Sequence, residues 1–135
     1  MISGIGIDSE DIHRFNAWTN FPAEKLKKTF SDKEIEYCLQ TPKKSAERFA
    51  ARFAAKEAFF KALSNVLTEH KIPFLTVCKN VSIEQEKNGA PKIMVKWGKL
   101  TEAYGKKTEN RLKCLVSITH TNKTATAIII VQKTN

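Results

Sequence analysis

The chain has 135 residues, 41% hydrophobic and 27% charged, which is enough for one folded unit with a modest core. Its net charge of +9 calls for a polyanionic partner without choosing among nucleic acid, membrane, phosphate-rich cofactor and acidic protein. No apolar run approaches the roughly 20 residues that cross a bilayer, and the lysines are scattered with no aromatic interleaving, which argues against a single-strand stacking platform.

The opening residues lack a basic n-region and a small-residue cleavage site, so the expectation is a cytoplasmic protein. Cys38, Cys78 and Cys114 are odd in number and far apart, and read as reduced, mostly buried thiols rather than a disulfide framework or zinc site. Cys114 fits burial best, because it alternates with Leu112, Val116 and Ile118. With no repeat, low-complexity stretch or linker, residues 1–135 read as a single domain.

The first predicted element is a strand over residues 1–8. Its two-residue period puts Ile5 and Ile7 on one side and Gly4, Gly6 and Asp8 on the other. The bare glycine side predicts close approach by a backbone or a ligand. Asp8 is expected where this strand opens into a helix whose first turn carries Glu10 and Asp11, so that an N-cap role competes with a metal role for its carboxylate.

Ser31-Asp32-Lys33-Glu34 has capping-box spacing, flanked by Phe30 and Ile35 as a hydrophobic staple, and predicts a helix start. Thr41-Pro42 interrupts that helix, and a second, longer one follows over about residues 43–64. On it Phe49, Phe53 and Phe60 fall within about 40° of one another and form the expected buried stripe. Lys56 projects almost into the middle of the stripe, with Glu57 at one edge and Arg52 at the other.

The second half reads as strands: Val81–Ile83, a turn at Asn88-Gly89, then Ile93–Val95. A short helix around 99–107 and two more strands, Leu112–His120 and Ala125–Val131, complete it, the last two joined by a tight Thr121–Thr124 connection. The order β-α-α-α-β-β-α-β-β predicts an α+β fold with an antiparallel sheet packed with one long helix and shorter ones.

The segment Arg52–Lys61 carries the most chemistry. A lysine inside an apolar stripe is costly unless its ammonium reaches water, a carboxylate or a phosphate. In one reading Lys56 snorkels, and Glu57 with Lys61 is an ordinary i,i+4 pair. In the other, Glu57 binds a hard cation while Arg52, Lys56 and Lys61 hold phosphate oxygens. Asp8 favours the second, since Mg²⁺ commonly takes only one or two protein carboxylates and completes its shell with water and substrate phosphates. His120 ends a strand, either as a turn hydrogen-bonder or as a site residue. His13 and His70 have no partner by spacing, and no P-loop, Rossmann glycine pattern or Ser/His/Asp order is present.

In order, these pieces resemble the holo-acyl-carrier-protein synthase family of small phosphopantetheinyl transferases. The resemblance rests on Gly6-Ile7-Asp8 with Arg14, on Phe30-Ser31-Asp32-Lys33-Glu34, and on Arg52 through Lys61. It continues in Asn88-Gly89-Ala90-Pro91 and Ser117-Ile118-Thr119-His120. The family's glycine-rich stretch after the lysine helix is missing, and Ser64-Asn65-Val66-Leu67 stands there instead.

The resemblance implies transfer of phosphopantetheine from coenzyme A to a serine of acyl carrier protein, with Mg²⁺ on Asp8 and Glu57 and with Glu57, Lys61 and Asp8 as the catalytic residues. It implies a coenzyme A site of Arg52, Lys56, Lys61, Asn88, Gly89, Pro91, His120 and Thr121. Arg14, Lys25 and Lys28 would face the acidic carrier. The base that takes the serine proton is Glu57 or a water on the metal. A homotrimer with the cleft between subunits, and a place in fatty acid biosynthesis, are further implications. The competing readings are a basic polyphosphate-binding module, which leaves Asp8 and Glu57 without a role, and an interaction scaffold in which Lys56 snorkels.

Overall fold

The computed structural model describes residues 1–69, 71–102 and 112–134. The first strand, β1 (Ile2–Asp11), runs three residues past its expected end, so Glu10 and Asp11 belong to the strand and not to a helix. It is followed by 3-10 turns at Ile12–Phe15 and Ala17–Asn20 and a single helical turn, α1 (Ala23–Leu26), rather than the expected helix. Asn16 between the two turns, Asn20 at the end of the second and proline at 22 leave no run long enough to sustain i→i+4 bonding.

The helix α2 (Asp32–Gln40) starts as the sequence predicts: Ser31 Oγ accepts from Glu34 N, and Glu34 reaches back to Ser31 N. Pro42–Lys44 form a 3-10 turn that leads into α3 (Ser45–Val66), 22 residues with neither glycine nor proline. The next helix, α4 (Phe74–Lys79), opens behind Pro73 and was not expected, since six residues are too few to display a period.

A hairpin follows, β2 (Val81–Gln85) with β3 (Pro91–Val95), turned at Gly89, whose φ of +88° only glycine adopts freely. After α5 (Trp97–Glu102) come β4 (Leu112–His120) and β5 (Thr124–Lys133). The remainder of the helix expected over 99–107, with Lys106 and Lys107, lies outside the described residues, as does His70. The strands form two sheets rather than one, an antiparallel β1-β5-β4 sheet and the separate β2-β3 hairpin.

Helix α3 is the hub, buried against both core clusters. Phe49, Phe53 and half-buried Phe60 face an aromatic cluster, in which Phe53 meets Phe15, Trp18 and Phe74. Phe59, outside the expected stripe, is fully buried as well, because α3 has a second apolar side. That side is alanine-rich, with Ala54, Ala58 and Ala62 all fully buried, and β1 lies against it.

The bare glycine side of β1 therefore meets a backbone. A Cβ on Gly6 would overlap the carbonyl oxygen of Ala58 and come within 2.8 Å of Ala62 N; one on Gly4 would overlap the carbonyl oxygen of Ala62. Because helix backbone cannot step aside, Gly6→Ala is expected to cost roughly 1–3 kcal/mol or more. The check is urea denaturation, and an unchanged midpoint would show that β1 can lift from α3.

Candidate active site

Extension of β1 through Asp11 puts Asp8 and Glu10 on the same partly buried side as Gly4 and Gly6. This side faces α3, whose Lys61 reaches across: Nζ donates to the Ile7 carbonyl at 2.9 Å and lies 3.2 Å from Asp8 Oδ1. Asp8 Oδ2 is buried and has no hydrogen-bond partner. Glu10 Oε2 accepts from Arg14 Nη1 at 2.8 Å. The structure thus brings Asp8 and Lys61 together, and adds Glu10 and Arg14.

Glu57 joins this cluster through its electrostatics. Burial first, then the Asp8 charge, raises the Glu57 pKa, with Lys61 and Arg14 opposing. Glu10 is pushed up to about 7, by burial first, then by the neighbouring Asp8 carboxylate, against Arg14. An acid whose pKa is raised on folding binds more protons folded than unfolded, so stability falls as pH rises through the interval. For Glu10 that interval runs from 4.5 to about 7, and Glu57 acts in the same direction. With chelator present, the thermal midpoint is expected to decline over this range and to decline less in Glu10→Gln; an equal slope in the two proteins would contradict the assignment.

A divalent cation fits here. Lys61 meets one oxygen of the Asp8 carboxylate, but the buried Oδ2 has no hydrogen-bond partner and is open to a cation. No group of three or more His, Cys, Asp or Glu among the described residues is placed to hold a metal alone. The donor set therefore suits a hard ion that takes one or two carboxylates and finds its other ligands on water and substrate.

The structure corrects the assignment of Lys56 to coenzyme A. Its side chain is fully buried, and the ammonium lies 2.7 Å from Glu34 Oε1 while donating to Thr29 O at 2.7 Å and Cys78 O at 3.2 Å. All three N–H groups are used, and none is left for a phosphate or for snorkelling. Glu34 Oε2 accepts from Ile83 N at 2.8 Å, so the capping glutamate also ties β2 to α2 and α3.

Four of the other expected residues gather at a second place, without Asn88 and Thr121. A cavity of about 260 Å³ is lined by Arg52, Gly89, Pro91 and His120, with Arg48 and Tyr37 beside them. Arg52 is 6% exposed and its Nε is buried without a partner. His120 Nε2 lies 3.2 Å from Glu47 Oε1. Asn88 and Thr121 spend their side-chain acceptors inside their own turns, Asn88 Oδ1 on Ala90 N and Thr121 Oγ1 on Lys123 N and Thr124 N.

Lys25 and Lys28 are exposed near α1, with the Lys25 ammonium 3.8 Å from the centre of the Phe21 ring, and Arg14 is half exposed. Cys38 and Cys78 are buried and Cys114 partly so; burial pushes all three thiols up to about 12, which leaves them inert.

Sequence reasoning missed Glu10, Tyr37, Glu47 and Arg48. Glu10 was legible in the two-residue period once β1 continued past Asp8, whereas Tyr37 meets Arg48 only through the packing of α2 on α3.

A family model for the 4'-phosphopantetheinyl transferase superfamily matches residues 4–117. Curated relatives include holo-[acyl-carrier-protein] synthases of Treponema denticola, 33% identical over 98% of this chain and 99% of its own length, and of Geotalea daltonii, 33% identical over 98% and 100%. Among solved structures, an ACPS–CoA complex from Chronobacterium ammoniagenes superposes with a TM-score of 0.76 at 25% identity, over 98% of each chain. The Helicobacter pylori holo-[acyl-carrier-protein] synthase in complex with coenzyme A gives 0.68 at 27% identity, over 95% of this chain and 99% of that one.

Proposed function

The chain belongs to the 4'-phosphopantetheinyl transferase superfamily, and from that premise we propose that it is a holo-acyl-carrier-protein synthase. It transfers 4'-phosphopantetheine from coenzyme A to a serine of apo acyl carrier protein and releases adenosine 3',5'-bisphosphate. The observation that carries this reading is the buried, unpartnered Asp8 oxygen beside Lys61 and a Glu57 of raised pKa.

Mg²⁺, held by Asp8 and Glu57, would neutralise charge on the diphosphate of coenzyme A. Lys61, fixed by the Ile7 carbonyl and Asp8, presents its charge where the phosphoryl oxygens gain theirs. The serine oxygen bonds to the β-phosphorus as the bond from that phosphorus to the bridging oxygen breaks, and the serine proton passes to Glu57 or to a water beside it.

Arg52, His120, Gly89 and Pro91 take the nucleotide end of coenzyme A. At 100° per residue, Arg48 and Arg52 project about 180° from Glu57 and Lys61, on opposite faces of α3. A single coenzyme A spanning both sets therefore lies between two copies of the chain. The β1-β5-β4 sheet has the surface for such contact: Ile5, Ile7 and Leu115 are 55%, 58% and 45% exposed, on the face away from α3.

A homotrimer assembled over this apolar face, cytoplasmic and serving fatty acid biosynthesis, completes the reading; sedimentation of an active monomer would contradict it. Arg14, Lys25 and Lys28 meet the acidic carrier, in a contact weakened by salt because exposed charges are screened beyond about 8–10 Å.

The test is intact-mass spectrometry of apo carrier incubated with the chain, coenzyme A and Mg²⁺, with and without chelator. One phosphopantetheine added only when metal is free is the expected result. No addition under any condition favours a non-catalytic polyphosphate-binding module.

A further inference from the structure

Arg14 is half exposed, yet its guanidinium is held in one place. Its backbone belongs to the 3-10 turn Ile12–Phe15 directly after β1, and Ile12 N pins that turn by donating to Lys123 O at 2.8 Å. The guanidinium carbon lies 5.3 Å from the centre of the Phe15 ring and 5.0 Å from that of Phe53. Both rings are buried, so the charge rests on a close-packed wall.

Glu10 supplies the remaining constraint, since its Oε2 accepts from Arg14 Nη1 at 2.8 Å. Exposed ion pairs are usually loose because both side chains move. Here the carboxylate side chain is 13% exposed against 53% for Arg14, which makes it the fixed member of the pair. Glu10 lies opposite Ala125 on β5 as Asp8 lies opposite Ala127, on the same face of β1 and about 7 Å further along. The cation is thereby tied to the strand that carries Asp8. It stays usable, because a guanidinium has five N–H donors and half of this side chain faces solvent.

We propose that Glu10 is a positioning residue: it fixes Arg14 at a set distance from Asp8, so that an acidic carrier seated on Arg14 presents its serine to the diphosphate of coenzyme A. The inference rests on the transferase reading, which seats the carrier at Arg14. Without Glu10 the guanidinium keeps its charge but gains rotamers, and that freedom is lost again whenever a carrier docks. A role as a further metal ligand fits less well. Oε2 is committed to Arg14, and no group of three or more His, Cys, Asp or Glu among the described residues is placed to hold a metal.

The test is the kinetics of phosphopantetheine transfer by the whole chain to an apo acyl carrier protein, at low salt with saturating coenzyme A and Mg²⁺. Glu10→Ala is expected to raise the KM for the carrier by about 3-fold or more, the cost of ordering one rotamer-rich side chain. The change in kcat should be smaller, because a docked carrier holds Arg14 itself. Glu10→Gln should recover part of the loss, since its amide oxygen still accepts from Arg14. Glu10→Asp keeps the charge but shortens the reach, and should behave as Glu10→Ala does. In an Arg14→Ala background, removing Glu10 should raise KM no further. Calorimetric Mg²⁺ binding should weaken far less in Glu10→Ala than in Asp8→Asn. An unchanged or lower KM in Glu10→Ala, additive losses in the double variant, or an equal loss of Mg²⁺ affinity overturns the positioning role. Failure of the unmutated chain to transfer phosphopantetheine overturns the transferase reading itself.

Discussion

Glu57→Gln is expected to lower turnover by about 10²-fold or more at saturating Mg²⁺, because metal stabilisation of phosphoryl charge is worth several kcal/mol. Asp8→Asn should fall as far, for a second reason. Its carboxylate also holds Lys61, whose Nζ lies 3.2 Å from Oδ1, so the substitution also loosens the lysine proposed to meet the phosphates. Single-turnover phosphopantetheine transfer read by mass spectrometry separates this from slow product release. Metal binding measured calorimetrically should weaken in both variants. Near-normal turnover in either would remove the carboxylate pair from the mechanism, however well the fold agrees.

The second large effect falls on stability. Lys56→Met leaves the Glu34 carboxylate fully buried with no counter-charge, and breaking a buried pair from one side costs about 3–5 kcal/mol. In a chain of 135 residues this corresponds to a thermal midpoint lower by on the order of 10 °C or more. Lys56→Met with Glu34→Gln should lose less than the sum of the two, since the second change removes the orphaned charge. Below the new midpoint, affinity for coenzyme A should be unchanged. A stable Lys56→Met protein with weakened coenzyme A binding would reverse the correction and return Lys56 to the cofactor.

The Lys56 result shows where local reading stops. Its position in an apolar stripe raised three alternatives for the ammonium, and the spacing within α3 could not choose among them. The choice fell to Glu34, 22 positions earlier and already occupied in the sequence argument as a capping-box residue. One carboxylate with two oxygens did both: Oε1 meets Ser31 N and Lys56 Nζ, and Oε2 meets Ile83 N.

The extent of β1 was misread for a related reason. Ser9-Glu10-Asp11 has the polar composition of a helix start, yet pairing with Thr124–Thr126 of β5 kept it extended, and pairing is not a property of the segment alone. That difference delivered Glu10 to Asp8.

Local sequence by itself determined the capped start of α2, the long uninterrupted α3, the bare glycine edge of β1, the turn at Gly89 and the alternation of β4 and β5. Each depends on contacts within a few residues or on a simple period. Tertiary structure alone decided which charges are spent inside the protein and which remain for a ligand. Lys56 went to Glu34, Lys61 to the edge of an open carboxylate cluster, and Arg52 to a cavity wall with a nitrogen unpaired. The physical reason is that a buried charge must find an opposite charge or a set of dipoles, and its partner comes from whatever segment folding places within about 3 Å of it.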